Sequence, residues 1–532
     1  MTSAPGQNRR PALIGQLTRP AAYGHPTRDI QVIETHISWV ILTGEYAYKI
    51  KKPVDLGFLD FSTLERRRAS CEEELRVNRR TAPEWYLDVV PIAATPAGAH
   101  VGQEPAVEYA VRMRQFPHNA RLDRCLQQGR IGAGEVRRLA ATIAAFHAKL
   151  RGRDSADPDY EVERASRPAR NNFIHLDPAS FSDEAQQRLA VIESWTLQQA
   201  ATLAPVFGDR AKTGAVRECH GDLHLENLLY IDGRFVPFDA IEFDPGLRWI
   251  DVANDIAFLT MDLLARDRED LAHTLLNAWL EETGDYDSLA VMRYYLVYRS
   301  MVRAVVLSIR QAQGGSRSPA EGSFRQGAER YVRLAADWVD TPAPVLYLMH
   351  GFSGSGKTWH SEHLVASLPA LRVRSDLERK RLPDLRESQR VTGSIDSGLY
   401  GRDVTERTYQ RLAHCCETGL RSGFDMIADA AFLHRWQRDL FHDLARRCGA
   451  GLVILDCAAP TGVLRERVKE RAKAHSDASD AGPAVLEHQL ARHDPLSEAE
   501  RRAAVLLEPG ESPRRTASRV RAAAPVQAKI KV

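Results

Sequence analysis

Lysine is scarce in this chain: 11 of the 72 basic residues are Lys and the rest are Arg. Where arginine serves as the general positive charge, a lysine at a motif position carries more information than usual. Basic residues barely outnumber the 70 acidic ones, so the formal net charge is only +2. That balance excludes an overall basic field able to hold nucleic acid or an anionic membrane, local patches aside. The seven cysteines are scattered and form no CxxC pair, which excludes a disulfide framework and points to a reducing compartment. No apolar run approaches the roughly 20 residues that span a bilayer. The opening MTSAPGQNRRPALIGQLTRP lacks the apolar core of a signal peptide. The expectation is a cytoplasmic protein with neither a membrane nor a nucleic-acid partner. A repeat of fixed period is also missing.

What is present is a chain of 532 residues, 44% hydrophobic and 27% charged, enough for about two to four domains. Residues 1–25 read as a Pro- and Arg-containing tail. From Ile30 to about Val111 the runs HISWVILTG, EYAYKI, YLDVVPI and VEYAVRM read as strands around one helical stretch. Helical periodicity dominates from Leu122 to Trp338, interrupted by one hairpin. It is broken by QAQGGSRSPAEGS at 311–323, after which FRQGAERYVRLAADWV reads as a short helix. TPAP at 341–344 marks a domain boundary. Beyond it VLYLMH, LRVRSD, FDMIADA, GLVILDC and AAVLLE alternate with helical segments, the pattern of a parallel sheet with crossover helices. The expected domains are therefore 26–340 and 341–510, with an accessory tail at 511–532.

The stretch CHGDLHLENLLY, Cys219 to Tyr230, places Asp222 and Asn227 five residues apart. A kinase catalytic loop uses this spacing to set an Asp on the substrate hydroxyl and an Asn on a metal ion. In LLYIDGRFVPFD, Asp232-Gly233 suits a type I′ turn between two β-favouring runs. Such a hairpin returns Asp239 beside Asn227, where the pair is placed to share Mg²⁺. Upstream, Ala47 and Lys49 share one face of the strand EYAYKI, the placement of the kinase lysine that holds the α/β-phosphates. On the helix TLERRRASCEEELRVNRR, Glu74 lies beside the stripe formed by Leu64, Cys71, Leu75 and Asn78, which makes it the expected partner of Lys49. The alternative is that Lys49 joins Lys51 and Lys52 in a solvated cluster and Glu72 to Glu74 decorate a surface helix. His36, His147 and His224 read as packing or capping residues.

Together these residues make 30–338 resemble the aminoglycoside phosphotransferase family of protein-kinase-like folds, in which HGD stands for His-Arg-Asp. HISWVILTG, AYKIKKPVDLGFLDFSTLERR and FDAIEFDPGLRWIDVANDIAFL resemble the kinase-like half of bacterial proteins described as bifunctional aminoglycoside phosphotransferase and ATP-binding proteins. The resemblance implies Asp222 as catalytic base, Asn227 and Asp239 as Mg²⁺ ligands, Lys49 with Glu74 on ATP, and Asp251 and Asp255 bracing the catalytic loop. One departure is that only Gly44, and no Gly-rich loop, precedes Lys49.

GFSGSGKT, Gly351 to Thr358, fulfils G-x-x-x-x-G-K-[ST] between a strand and a helix. The backbone N–H groups around Gly351, Ser353, Gly354, Ser355 and Gly356 suit phosphate oxygens, Lys357 the β/γ-phosphates and Thr358 a Mg²⁺ ion. Asp376, after LRVR, is expected to face the acceptor as an orienting acid or base. Asp429, at the end of the third strand, is expected in the metal shell, with Asp456 as its rival; the lesser alternative for each is a helix N-cap at a strand-to-helix turn. Arg465, Arg467 and Arg471 on TGVLRERVKERAKAH precede the small polar segment SDASDAG and suit a lid over ATP. Residues 344–510 resemble the small P-loop kinases of the gluconate kinase, adenylylsulfate kinase and zeta-toxin kind, without a substrate carried over.

The expectation is a multidomain chain: a two-lobe, protein-kinase-like α+β domain followed by an α/β P-loop kinase domain with a parallel sheet. Both would use ATP and Mg²⁺ and transfer the γ-phosphate to a hydroxyl of a small-molecule acceptor. The alternatives are one active P-loop kinase with a nucleotide-sensing kinase-like module, and an ATP-driven switch.

Overall fold

The computed structural model describes residues 11–55, 59–96, 98–153, 157–314, 320–382, 402–474, 482–508 and 511–524. The chain forms two compact units: one of residues 1–131, 149–153 and 216–255, the other of 132–148, 154–215 and 256–532.

The first unit is built on a six-stranded antiparallel sheet. Its strands are β1 (Gln31–Glu34), β2 (Ser38–Leu42), β3 (Tyr46–Lys51), β4 (Tyr86–Thr95), β5 (Gly98–Val101) and β6 (Ala106–Arg114), in the order β1-β2-β3-β6-β4-β5. Period-2 alternation decides the faces. Tyr48 and Ile50 of β3 pack with Trp39, Ile41, Ile92 and Ala110 on one side. This layer also takes in Ile14 and Leu17, carried by the short helix Ala12–Gln16 and the residue after it. The segment expected as a loose tail therefore packs into the core from residue 12, because its two large aliphatic side chains have an apolar sheet face to cover.

On the opposite face Ala47, Cys71, Tyr86 and Val111 meet Leu229, Val236 and Phe238. Cys71 belongs to the helix Leu64–Asn78, whose first turn is capped by the Thr63 hydroxyl accepting the Arg66 N–H at 3.3 Å. The other three residues bracket or belong to the hairpin β8 (Leu228–Ile231) and β9 (Arg234–Pro237), which follows β7 (Val216–Glu218). Asp232 and Gly233 have φ of 50° and 75°, the left-handed pair that a type I′ turn requires. β10 (Trp249–Asp251) pairs antiparallel with β7 and leads into the helix Val252–Leu264.

In the second unit a group of helices includes Glu269–Thr283, Leu289–Gly314 and Ala320–Val339. A five-stranded parallel sheet follows: β11 (Val345–His350), β12 (Ala370–Arg374), β13 (Asp425–Asp429), β14 (Gly451–Cys457) and β15 (Val505–Leu507), in the order β12-β13-β11-β14-β15. Its strands are near-continuous apolar runs because helices cover both faces. The helix Pro513–Ala523 contributes Ala517 and Val520 to the core around Val345, Leu364 and Val453. The C-terminal segment expected to be accessory is thus part of the domain up to Ala523.

β12 lies at the sheet edge, and the preceding helices satisfy that edge. The Asn277 side chain, on the helix Glu269–Thr283, donates to the Ala370 carbonyl at 3.1 Å and accepts the Arg372 N–H at 2.6 Å. The Tyr286 hydroxyl donates to the Arg372 carbonyl at 2.9 Å. Buried backbone groups at the edge thereby find partners without another strand. Among the described residues no helix is long and apolar enough to cross a membrane.

Candidate functional site

In the first unit the loop between β7 and β8 carries Asp222 and Asn227. The Asn227 amide nitrogen donates to the Asp222 carbonyl at 3.0 Å and to its carboxylate at 2.8 Å, leaving the amide oxygen as the group available to a cation. Gly221 has φ +85°, and a Cβ there would stand 2.8 Å from the Leu247 carbonyl oxygen, so the middle residue of HGD is sterically fixed as glycine. Asp255 accepts the N–H groups of His220 and Gly221 at 3.1 and 3.0 Å, which clamps the loop backbone from the helix Val252–Leu264. Asp251 accepts the Ala253 N–H at 2.8 Å and caps that helix.

His220 is fully buried, which pushes its pKa below the ordinary value, and Asp255 and Asp222 only partly offset this. Its Nδ1 accepts the Asp222 N–H at 3.3 Å and its Nε2 faces the Phe238 carbonyl at 2.9 Å. The network therefore assigns a neutral ring protonated at Nε2. His224 caps Glu226 through Nδ1, as expected, and also sets Nε2 3.3 Å from the Asp222 carboxylate. Spacing alone gave no sign of that second contact.

The hairpin closes where the Phe238 N–H reaches the Asn227 carbonyl at 3.0 Å. Asp239 follows with φ 60°, a left-handed conformation tolerated by Asp, and its N–H meets the Tyr86 hydroxyl at 3.1 Å. Lys49 Nζ lies 2.8 Å from Glu74 and also binds the Asp239 carboxylate. The structure thus joins Lys49, Glu74 and Asp239 through their side chains and Asn227 with Asp222 through theirs, and the Phe238–Asn227 backbone hydrogen bond links the two groups.

The alternative of a solvated lysine cluster is not what the structure shows. Lys51 and Glu74 are both 0% exposed. Lys51 takes the second oxygen of Glu74 and binds Glu242 as well; Lys52 turns outward to Glu34. Burial opposes the charge on Glu74, yet Lys49 and Lys51 outweigh it and hold its pKa at about 2. Burial likewise works against the Lys49 ammonium, and the Asp239 and Glu74 carboxylates overcome it, raising its pKa well above the usual value. On Glu242 burial prevails and the pKa is raised. Arg248, buried, binds Glu73 of the same helix, reaches Glu218 at 3.0 Å and donates to the Glu242 carbonyl at 3.2 Å. The helix bearing Glu74 is therefore pinned at two consecutive residues.

In the second unit the phosphate-binding-type loop joins β11 to the helix Lys357–Ser367. Gly351, Gly354 and Gly356 have φ of +139°, +85° and +96°, and a Cβ on Gly351 would lie 2.6 Å from the Cys457 carbonyl oxygen. Lys357 folds back to the Gly351 and Phe352 carbonyls at 2.9 and 2.8 Å. The Ser353 N–H is met by the Gln489 side chain at 2.9 Å. Ser355 Oγ is buried with no hydrogen-bond partner among the described residues. An orphaned hydroxyl in the turn onto which the Lys357 ammonium folds back, at the start of a helix, fits an anionic group such as a nucleotide phosphate.

Asp429, at the end of β13, accepts the Ser361 hydroxyl at 2.8 Å, and Ser361 Oγ is 3.1 Å from the Thr358 carbonyl. Asp456 is instead held by His350 at 2.7 Å across β11 and β14. Of the two rival carboxylates, Asp429 is thus the one hydrogen-bonded to the helix that follows the loop. Asp376 stands in the first turn of the helix Ser375–Arg381, 3.7 Å from Arg379. On the helix Thr461–Ala474, Arg467 reaches the Gly354 carbonyl at 3.3 Å, while Arg465 pairs with Glu487 at 2.7 Å. The Arg471 side chain and residues 475–481 lie outside the described residues.

Each donor set is of a kind that suits a hard divalent cation: Asn227 amide and Asp239 carboxylate oxygens in one, Thr358 hydroxyl and Asp429 carboxylate oxygens in the other.

A family model described as an AAA domain matches residues 346–496. Proteins of Mycobacterium tuberculosis and Mycobacterium bovis, described as uncharacterized, are 29% identical over 473 residues, covering 88% of this chain and 92% of theirs. An aminoglycoside phosphotransferase from Alicyclobacillus acidocaldarius is similar to 64% of the chain over 96% of its own length, with 15% identity and a TM-score of 0.34. A gluconokinase from Sinorhizobium meliloti is similar to 34% of the chain over 92% of its own, with 19% identity and a TM-score of 0.25.

Proposed function

We propose that this chain fuses two ATP-dependent phosphotransferase modules, built around residues 26–340 and 341–510, each passing the γ-phosphate to a hydroxyl of a small-molecule acceptor in the cytoplasm. The observation that carries the reading is the part-buried Lys49–Glu74 ion pair, with Asp239 on the same ammonium and the hairpin before Asp239 closing on Asn227, in a chain that also holds a complete P-loop.

In the first module Asp222 accepts the proton of the acceptor hydroxyl at its carboxylate, which Asn227 and His224 orient. Asp255 keeps the backbone of that loop in place, so the carboxylate meets the hydroxyl without reorganisation. Lys49, its charge secured by Glu74, sits where it can neutralise the α/β-phosphates. Asn227 and Asp239 are the residues that would hold Mg²⁺, which supplies charge neutralisation to the transferring phosphates.

In the second module the backbone N–H groups from Gly351 to Gly356, the Ser355 hydroxyl and Lys357 cradle phosphate oxygens. Thr358 and Asp429 would hold the metal. Asp376 orients the acceptor, and Arg467 with Arg471 closes over the nucleotide and excludes water.

The test is transfer of labelled γ-phosphate to sugars, aminoglycosides, nucleosides and a cell metabolite extract by the parent, Asp222→Asn and Lys357→Ala. The expected result is that each substitution removes labelling of a different acceptor. If Asp222→Asn changes no turnover, the first module is a nucleotide-sensing partner of a single kinase. If the parent hydrolyses ATP and labels no acceptor, the chain is an ATP-driven switch.

A further inference from the structure

Arg372 lies on β12 with only 7% of its surface exposed. Its Nε and Nη2 reach one oxygen of Glu281 at 2.8 and 2.7 Å. Its Nη1 donates to Ser361 Oγ at 3.0 Å and lies 4.0 Å from the Asp429 carboxylate. Ser361 in turn bonds Asp429 at 2.8 Å. Glu281 belongs to the helix Glu269–Thr283, upstream of the 341–344 boundary. A line of hydrogen bonds thus runs from a helix of the preceding segment into the P-loop site.

A buried guanidinium requires a counter-charge, and two carboxylates compete for this one. Glu281 engages the Nε/Nη2 edge, and the planar fork then fixes where Nη1 points. In this arrangement Nη1 meets a serine hydroxyl, and Asp429 stays 4.0 Å away, at the outer limit of an ion pair and short of a hydrogen bond. Without the charge on Glu281, the nearest remaining carboxylate to Arg372 is Asp429, and a shift of about 1 Å closes a direct ion pair. That pair would occupy the oxygens a cation needs.

We propose that Glu281 is a positioning residue of the P-loop site: by holding Arg372 it keeps Asp429 available to a divalent cation bound with nucleotide. The inference rests on reading 341–510 as a nucleotide site. It makes the metal affinity of that site depend on a helix outside it, and so gives a physical reason for the two modules to share one chain.

The test uses the full chain carrying Lys49→Met, so that the P-loop site dominates, and measures AMP-PNP binding as Mg²⁺ is titrated. Glu281→Gln is expected to raise the half-saturating Mg²⁺ concentration about 10-fold, the scale of outer-shell changes at metal sites. Affinity for AMP-PNP without Mg²⁺ should change less than about 2-fold, since the glycine loop is untouched. Adding Arg372→Met to Glu281→Gln should return the Mg²⁺ response to near the parent, because no guanidinium remains to capture Asp429. Glu281→Asp, which keeps the charge, should shift it less than Glu281→Gln. An unchanged Mg²⁺ response in Glu281→Gln, or a double variant no better than the single one, overturns the proposal. If the Lys49→Met parent shows no AMP-PNP binding that Lys357→Ala removes, the nucleotide reading itself has failed, before any Glu281 variant is compared.

Discussion

Lys51 and Glu242, 191 positions apart, form an ion pair with side chains 0% and 5% exposed. Because Lys51 also serves Glu74, one ammonium joins the helix Leu64–Asn78 to the segment that follows Asp239. The kinase-type pair Lys49–Glu74 is therefore held from behind.

Lys51→Met should be strongly destabilising, since it strands the Glu242 carboxylate in the interior and leaves Glu74 with Lys49 alone. The expected loss is about 3–5 kcal/mol in urea unfolding. Lys51→Met combined with Glu242→Gln should cost less than Lys51→Met alone, because one stranded charge is removed with its partner.

Glu74 also sets an acid dependence. Its carboxyl titrates near 4.5 in the unfolded chain and at about 2 when folded. Between those values the unfolded chain binds more protons, so this contribution is complete above pH 4.5 and is lost as pH falls through 2. Going from pH 5 to pH 3, the parent should lose about 2 kcal/mol more stability than Glu74→Gln in urea midpoints. Glu242, raised by burial, acts in the opposite sense, so the difference between variants is the quantity to read.

Asp255→Asn keeps the volume of the side chain but turns one of its two acceptors into a donor facing an N–H. The expected cost is about 1–3 kcal/mol of stability. Asp222-dependent transfer should fall about 100-fold through misplacement of the loop, with AMP-PNP affinity nearly unchanged.

Gly351→Ala places a methyl 2.6 Å from the Cys457 carbonyl oxygen at φ +139°. Bound nucleotide at a hundred times its Kd stabilises a site by about 2.7 kcal/mol, and the thermal shift from this site should vanish in the variant. Gly462→Ala, where nothing lies within 4 Å of the new Cβ, should preserve it.

Both nucleotide motifs were legible because each is local. Asp222 and Asn227 share one loop, Asp232-Gly233 dictates its own turn, and GFSGSGKT needs only a strand before it and a helix after. Strand alternation also gave the face of Lys49, and helical spacing selected Glu74 from its neighbours. Lys51, two residues along the same strand face, was indistinguishable from a solvated lysine, since the carboxylate that buries it comes from residue 242. Arg372 and Glu281, 91 positions apart, are likewise a product of packing, as are the seats of Ile14 and Val520. His224 was placed as a cap and not as a neighbour of Asp222, because the loop curvature that joins them has no signature in spacing.

Asn277 meets the outer edge of β12 with one donor and one acceptor, the same pair that a neighbouring backbone would present. This edge of the sheet is in this way closed to strands from other molecules. Residues 341–532 produced alone would lose that cover and expose a strand of mostly buried residues, ALRVR. The excised segment is expected to self-associate edge to edge with rising concentration, and Asn277→Leu in the full chain to show the first sign of the same behaviour in light scattering.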